Sequence, residues 1–248
     1  MRISWFQRNI FFIALAALSA TAIAQPAKPV RIGLIGPFTG ASADFGLPMR
    51  NGAQLAVDEI NASGGYMGRQ IELVIKDDMA SPDTGLQLSK ELVQEGVVAT
   101  IGFCNTGVAM KSLEVYQQAK SPLLVPCETG TPITAKYPAV ESFIFRTSAR
   151  DGIQAPFVVD DIVSRGWNKV AIFADKTGYG EAGLQDVVRA LEAKGVKPAY
   201  VARFDLGVKD LTNELKEAKA AATQSSRVSP IGSIGAAITR YAIAARSE

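Results

Sequence analysis

The sequence predicts an α/β fold in which parallel strands are covered by helices on both faces. Short apolar segments alternate with amphipathic segments along most of the 248 residues, and the links between them are short and contain turn residues. Strands that alternate with helices in this way pair in parallel, because each helix returns the chain to the same end of the sheet. The alternation stops near residue 148 and then restarts, which indicates two successive α/β units.

The first unit begins with a strand at 30–36, where VRIGLIG is apolar and bounded by turn residues. A helix follows over 47–61, because its apolar residues recur at the spacing of one helix face, and the glycines of NASGG end it. Ser81 and Pro82 are suited to the N-cap and first position of the next helix. The other elements predicted here are strands at 70–78, 97–102, 122–126 and 142–148 and helices at 82–95 and 106–120.

The second unit repeats the pattern but stops early. Its predicted elements are helices at 151–165, 180–194 and 210–221 and strands at 169–175 and 196–204. The tail at 222–248 then contains five serines, three arginines, no lysine and one acid, whereas the preceding chain uses lysine and acids freely. A βα unit without its next strand leaves an apolar face uncovered. We therefore expect a tail foreign to this fold, such as out-of-frame translation; the alternative is an ordinary irregular tail.

The N-terminus has the pattern of a secretory signal peptide. Arg2 and Arg8 precede an apolar stretch over 10–18, which is too short to span a membrane comfortably, and a small-x-small site ends at Ala24. Cleavage near Ala24 would remove residues 1–24, with two arginines and no acid. The remaining 24 basic and 24 acidic residues give no net charge, so neither a nucleic-acid nor an anionic-membrane partner is expected.

The residue types present exclude several kinds of chemistry. The chain has no histidine, which excludes histidine-based catalytic triads and histidine metal sites. Its two cysteines, Cys104 and Cys127, make a poor zinc site by themselves, but export would permit a disulfide. An enzyme would have to use Cys127 or a carboxylate pair such as Asp77 and Asp78, and two acids at a strand end are more often solvated turn residues.

The glycine-rich stretch IGLIGPFTGASADFG at 32–46 follows the first strand as a phosphate-binding loop would. Its glycines do not have the G-x-G-x-x-G spacing, and the Gly-Lys-Ser/Thr of a P-loop is absent. Pro37 also removes a backbone N–H where a phosphate needs a donor. The stretch is therefore not predicted to bind a phosphate. It either leads from the strand to the site of another kind of ligand or only forms turns.

Two later turns are candidates for ligand contact. Thr106, in GFCNTGVAM, lies where a strand meets a helix N-terminus, whose unpaired N–H groups favour a carboxylate. The turn VPCETGTP at 125–132 follows the next strand, so both turns are expected at one edge of the sheet, where open α/β sheets bind ligands. The alternative for Thr106 is a helix N-cap with no ligand role.

Taken together, RIGLIGPFTGASADFG, NGAQLAVDEINASGG, IELVIKDD, IGFCNTGVA, VPCETGTPIT, FRTS and ADKTGYGEAG resemble the periplasmic leucine/isoleucine/valine-binding protein family. These are type I solute receptors of ATP-driven importers, and the resemblance covers roughly residues 28–220. It implies two lobes with Rossmann-like parallel sheets: a first lobe at 28–147 and an incomplete second lobe at 148–221, followed by the tail at 222–248. The family usually continues more than a hundred residues beyond this chain's end, including an acid that pairs with the ligand's ammonium.

The resemblance also implies a binding site for an amino acid between the lobes. Thr106 falls where the family grips the α-carboxylate, and Thr129 falls at a second ligand-binding hydroxyl. Cys127 falls at a small residue whose main-chain carbonyl accepts from the ammonium. Phe45 matches an aromatic near the cleft and Tyr179 a tyrosine that covers the ligand, although either could serve packing alone.

Cys127 is unusual at that position, and Cys104 lies near the end of the adjacent predicted strand. A disulfide beside the site is therefore one expectation, and two free thiols are the other.

The function expected from these features is a periplasmic substrate-binding component of an ABC transporter for branched-chain or related amino acids. It would be a monomer without cofactor or catalytic activity and would deliver its ligand to a membrane permease. The alternatives are a truncated, non-functional receptor fragment and a solute-sensing receptor on the same fold. Closure of two lobes traps the ligand in this family, so an incomplete second lobe would bind weakly.

Overall fold

The computed structural model describes residues 27–222, 229–231 and 242–246. The predicted signal peptide and most of the tail lie outside these residues. The described chain forms a five-stranded sheet followed by a four-stranded sheet. Within the described residues, no helix is both long and apolar enough to cross a membrane.

The first sheet is parallel throughout, with the strand order β2-β1-β3-β4-β5. Its strands are β1 (Val30–Gly36), β2 (Ile71–Asp77), β3 (Ala99–Ile101), β4 (Leu123–Val125) and β5 (Ile144–Arg146). The helices that connect them are α1 (Ala43–Ala62), α2 (Pro82–Gln94), α3 (Thr106–Ala119) and α4 (Pro132–Ala135). Sequence periodicity thus predicted every strand of this sheet, and it missed only the short helix α4.

Helices α2, α3 and α4 cover one face of the first sheet. Leu92 of α2 and Tyr116 of α3 are fully buried against Leu123 of β4 and their neighbours. The opposite face is only partly covered, because α1 stands away from it and leaves Leu124 and Phe145 exposed. The expectation that helices cover both faces is therefore met on one face of this sheet and only in part on the other.

Helix α1 begins four residues before the predicted start, so the end of the glycine-rich stretch is helical. Gly46 is in its first turn, where a Cβ would lie 2.0 Å from the carbonyl oxygen of Pro37. That glycine therefore permits close packing of helix on loop rather than an unusual backbone conformation. Apolar periodicity could not detect the first turn of α1, because this turn packs on a loop and has no apolar face directed to the core.

The second sheet has the order β7-β6-β9-β8. Its elements in chain order are α5 (Asp151–Ser164), β6 (Trp167–Asp175), α6 (Gly178–Glu192), β7 (Pro198–Phe204), α7 (Thr212–Ala222), β8 (Ser229–Ile231) and β9 (Ala242–Arg246). Helices α5 and α6 pack on one face of β6, and α7 packs on the other through Ala218. Both faces of this sheet are thus covered, as predicted.

Strands β8 and β9 belong to the tail. They pair antiparallel to each other, and β9 pairs antiparallel to β6, whereas the sequence predicted only parallel pairing. The division into lobes at 147/148 and a tail from another reading frame both stay predictions.

Candidate functional site

A cavity of about 170 Å³ lies between the two sheets, at the carboxyl ends of β3, β4 and β6. We call it the cleft cavity. Its lining residues are Ser42, Phe45, Cys104, Asn105, Cys127, Glu128, Thr129, Asp175, Thr177, Tyr179 and Leu206. Parallel strands bring their carboxyl ends to one edge, so turns distant in the sequence meet there. The volume is below the roughly 300 Å³ of common drug-sized pockets and suits a small solute.

Four of the five residues predicted to bind a ligand line this cavity: Phe45, Cys127, Thr129 and Tyr179. Phe45 is 38% exposed and stands at the rim, in contact with the neighbouring cavities as well. Thr106 is buried just behind the wall, and its hydroxyl donates to the Glu128 carboxylate. The structure therefore brings the predicted residues together, but the Thr106 hydroxyl is already committed to another side chain.

The turn after β6 positions Tyr179. Thr177 is the N-cap of α6, and its hydroxyl accepts from the backbone N–H of Tyr179 at 3.2 Å. Asp175 in turn accepts from the backbone N–H of Thr177 at 2.8 Å and from the Thr177 hydroxyl. This chain of contacts holds Tyr179 so that its phenol oxygen lies 3.3 Å from the hydroxyl of Thr129, which belongs to the other side of the cleft.

Glu128 is a buried carboxylate in the wall of the cleft cavity. Besides the Thr106 hydroxyl, it accepts from the backbone N–H of Gly130 at 2.8 and 3.0 Å. Burial raises the pKa of Glu128, and the Thr106 and Gly130 donors together with the charge of Arg146 act against that rise. The guanidinium of Arg146 itself donates to the carbonyl of Gly130 at 2.8 Å. These donors and the charge of Arg146 therefore stabilise the ionised Glu128 carboxylate less than burial destabilises it.

A second buried acid, Asp151, begins α5 behind Thr129. Its backbone N–H donates to the carbonyl of Thr129 at 2.9 Å. Burial raises the pKa of Asp151 to about 6, and the negative charges of Glu128 and Asp186 add to the effect. The Thr129 hydroxyl approaches this carboxylate without reaching good hydrogen-bond geometry, so no well-formed hydrogen bond to it occurs within the described residues.

The sequence predicted that the paired acids at the end of β2, Asp77 and Asp78, are solvated turn residues, but the structure does not leave both of them solvated. Asp77 is half-buried and holds the glycine-rich loop, accepting from the backbone N–H of Phe38 at 2.9 Å and the hydroxyl of Thr39 at 2.6 Å. Asp78 is fully buried, and burial raises its pKa to about 6. The expectation was wrong for Asp78, because α2 and the loop after β3 close over the strand end.

Cys104 and Cys127 are free thiols in the structure, so the disulfide considered from the sequence is not formed there. Both side chains line the cleft cavity. Within the described part of the chain, no group of three or more cysteine, aspartate or glutamate side chains is arranged to hold a metal ion.

Sequence reasoning missed several polar wall residues. Glu128 lies between two predicted site residues, and Asp175 ends a buried strand beside a helix N-cap. An acid at the carboxyl end of a parallel strand was an available signal in both cases. Ser42 and Asn105 carried no such signal, because their place in the wall depends on how α1 packs beside the turn after β3. Their side chains are joined by a hydrogen bond of 3.3 Å from the Asn105 amide to the Ser42 hydroxyl.

Comparisons with known proteins identify the family of the chain. The family model for periplasmic binding proteins matches residues 29–243, and the chain belongs to that family. A leucine-, isoleucine-, valine-, threonine- and alanine-binding protein of Pseudomonas aeruginosa is 30% identical over 214 residues, which cover 86% of this chain and 57% of that protein.

Two solved structures are similar in fold. One is the branched-chain amino acid transporter substrate-binding protein LivJ from Streptococcus pneumoniae in complex with isoleucine, with a TM-score of 0.67 and 26% identity, covering 76% of this chain and 53% of that one. The other is an ABC transporter solute-binding protein from Rhodopseudomonas palustris BisB5 with 3,4-dihydroxybenzoic acid, with a TM-score of 0.68 and 27% identity, covering 78% and 52%. The chain spans about half the length of these relatives.

Proposed function

We propose that this protein is the substrate-binding component of an ABC importer and that it binds a branched-chain or related small amino acid in the cleft cavity. The single observation that carries the proposal is that donors and acceptors from both sides of the cleft meet in one small cavity. Thr129 and Tyr179 provide hydroxyls from opposite sides, and Glu128 and Asp175 provide carboxylates. A zwitterion entering a dry cleft needs both kinds of partner to offset its desolvation.

The charge of the wall favours an amino acid over a simple carboxylic acid. Two carboxylates, Glu128 and Asp175, are among the described lining residues of the cleft cavity, and none of these is basic. The two carboxylates attract the ammonium group of an amino acid. They repel an anion that has no ammonium group. A carboxylate would rely on hydroxyls and on backbone N–H groups at the start of α3, where the helix dipole is favourable.

The remaining roles follow from the family. Residues 1–24 would direct the chain to the periplasm and be removed there. The protein would then act as a monomer that passes its ligand to a membrane permease, without turnover. Thr106 would contribute its backbone N–H rather than its hydroxyl, because the hydroxyl is bonded to Glu128.

A second candidate ligand is an aromatic carboxylate. It is favoured by the hydroxybenzoate in the similar solute-binding protein and by the position of Phe45 at the rim. It lacks an ammonium group, so it would leave the acidic part of the wall without a partner.

Isothermal titration calorimetry with leucine, isoleucine, valine, phenylalanine and 3,4-dihydroxybenzoate tests the proposal. We expect saturable binding with one amino acid per chain and weaker or no binding of the benzoate. The matched chemical controls are two analogues of leucine: 4-methylpentanoate lacks the ammonium group and leucinol lacks the carboxylate. Failure of every amino acid, or equal binding of leucine and 4-methylpentanoate, would contradict the proposal.

A further inference from the structure

Three sulfur atoms converge beside the cleft cavity, and the proposed transport function uses none of them. The Cys104 thiol lies 3.8 Å from the Met49 thioether sulfur. Cys127 follows the neighbouring strand β4 and lines the cleft cavity together with Cys104. Met49 and Cys127 also line the cavity between α1 and the first sheet, while Cys104 and Cys127 line the cleft cavity. The three side chains therefore form one cluster, which we call the sulfur cluster.

The fold holds these residues in place from three separate elements. Cys104 and Cys127 each lie three residues beyond Ile101 and Leu124, which are register partners in β3 and β4. Met49 is in α1, and its terminal methyl group rests on Gly36, where a Cβ would be 2.6 Å away. Any side chain at position 36 would displace Met49. The three sulfur atoms are therefore brought together by the pairing of β3 with β4 and by the absence of a side chain at Gly36.

We propose that Met49, Cys104 and Cys127 form a binding site for a soft monovalent cation of the Cu(I) class. Thiolate and thioether sulfurs are the ligands that select Cu(I) over harder ions. With metal–sulfur distances of about 2.3 Å in a trigonal plane, sulfur atoms lie about 4 Å apart, close to the separation of Cys104 and Met49. The site needs no histidine, and the chain has none.

The electrostatic surroundings favour a cation. The Glu128 carboxylate lines the cleft cavity together with Cys104 and Cys127, and its negative charge attracts a cation to that place. When the ion binds, each coordinating thiol releases its proton to solvent, and no group changes its oxidation state.

The test is titration of the reduced protein with Cu(I), buffered by a coloured Cu(I) chelator, and separately with Ag(I). We expect one ion per chain. Cys104→Ser and Cys127→Ser should each weaken binding at least a hundredfold, and Met49→Leu about tenfold. The matched control is Met110→Leu, a half-buried methionine of α3 packed against the first core, which should leave binding unchanged.

Equal affinity in the wild type and Met49→Leu would overturn the three-sulfur site, as would no binding to the fully reduced protein. Isolation of a Cys104–Cys127 disulfide that persists under the reducing conditions of the titration would also overturn it. X-ray absorption at the copper edge of the wild-type complex needs no variant. Three sulfur neighbours support the proposal, and two or fewer contradict it.

Discussion

The hydroxyl of Thr129 lies 3.3 Å from the hydroxyl of Tyr179, and this contact bridges the cleft between the two sheets. Thr129 follows β4 in the first sheet, and Tyr179 is in the first turn of α6 in the second. Each residue is anchored separately, Thr129 through its carbonyl to Asp151 and Tyr179 through the Thr177 cap. The pair therefore reports the relative position of the two sides of the cleft cavity.

Replacing Tyr179 by phenylalanine removes that hydroxyl and keeps the ring. We expect the dissociation constant of the bound amino acid to rise about three- to tenfold, because a neutral hydrogen bond contributes about 1 kcal/mol. Calorimetric titration measures the change. The control is Tyr66→Phe at an exposed tyrosine far from the cleft, and equal affinity in the two variants would remove Tyr179 from the site.

Replacing Thr106 by valine leaves a buried carboxylate without its side-chain donor. We expect the free energy of unfolding to fall by about 1–3 kcal/mol, because Glu128 remains buried and loses a charge-assisted hydrogen bond. Thr106→Ser keeps the hydroxyl and should recover most of the loss. Chemical denaturation at pH 7 compares the three proteins, and equal stability of the valine and serine variants would contradict the structural role of this contact.

Stability should depend on pH through Asp78. Its pKa is raised from 3.8 to about 6 in the folded protein, so its contribution to stability is fully present below pH 4 and is lost as the pH rises through 6. Between pH 4.5 and 7.5 this corresponds to a loss of about 2 kcal/mol.

Asp78→Asn removes that titration and keeps an oxygen that can accept from the backbone N–H of Ala80. We expect the loss of stability between pH 4.5 and 7.5 to be smaller by about 2 kcal/mol in this variant than in the wild type. Thermal denaturation across the range measures it. Asp58→Asn, at an exposed carboxylate of α1, serves as the control, and parallel pH profiles for wild type and Asp78→Asn would show that Asp78 is not the responsible group.

Two glycines of α1 give a matched pair for alanine substitution. At Gly46 a Cβ would lie 2.0 Å from the Pro37 carbonyl oxygen, whereas at Gly52 it would meet nothing within 4 Å. We expect Gly46→Ala to lower the free energy of unfolding by about 1–3 kcal/mol or more through overpacking. Gly52→Ala should raise it by about 0.5–1 kcal/mol through helix propensity. The same sign for both changes in urea denaturation would contradict the packing of α1 on the loop.

Most of the secondary structure was predictable from local pattern. The strand predicted at 30–36 coincides with β1, and the helix predicted at 106–120 differs from α3 by one residue. Apolar periodicity and cap residues encode such elements within a few residues of chain. The antiparallel β9 was not predicted in this way, because three of its four apolar residues are alanines, which are depleted in strands, and no turn signal indicates its partner.

The site was predictable only as a set of positions. Family resemblance placed Phe45, Thr106, Cys127, Thr129 and Tyr179 at one binding site, and the structure brings all of them except Thr106 to the wall of the cleft cavity. The resemblance did not indicate that the Glu128 carboxylate accepts a hydrogen bond from the Thr106 hydroxyl. The sequence of a turn that contains an acid is the same whether the acid is solvated or buried.

By itself the sequence determined the alternation of strands and helices, the C-terminal ends of all helices except α4 to within two residues, and the family to which the chain belongs, since these depend on local periodicity and short motifs. Only the tertiary structure decided that Asp78 and Glu128 are buried and that Met49 reaches Cys104. Those features depend on which surfaces meet after parallel pairing brings distant turns to one edge. Burial shifts the pKa values of these acids, and tertiary packing determines their hydrogen bonds and forms the sulfur cluster. No single stretch of sequence contains that information.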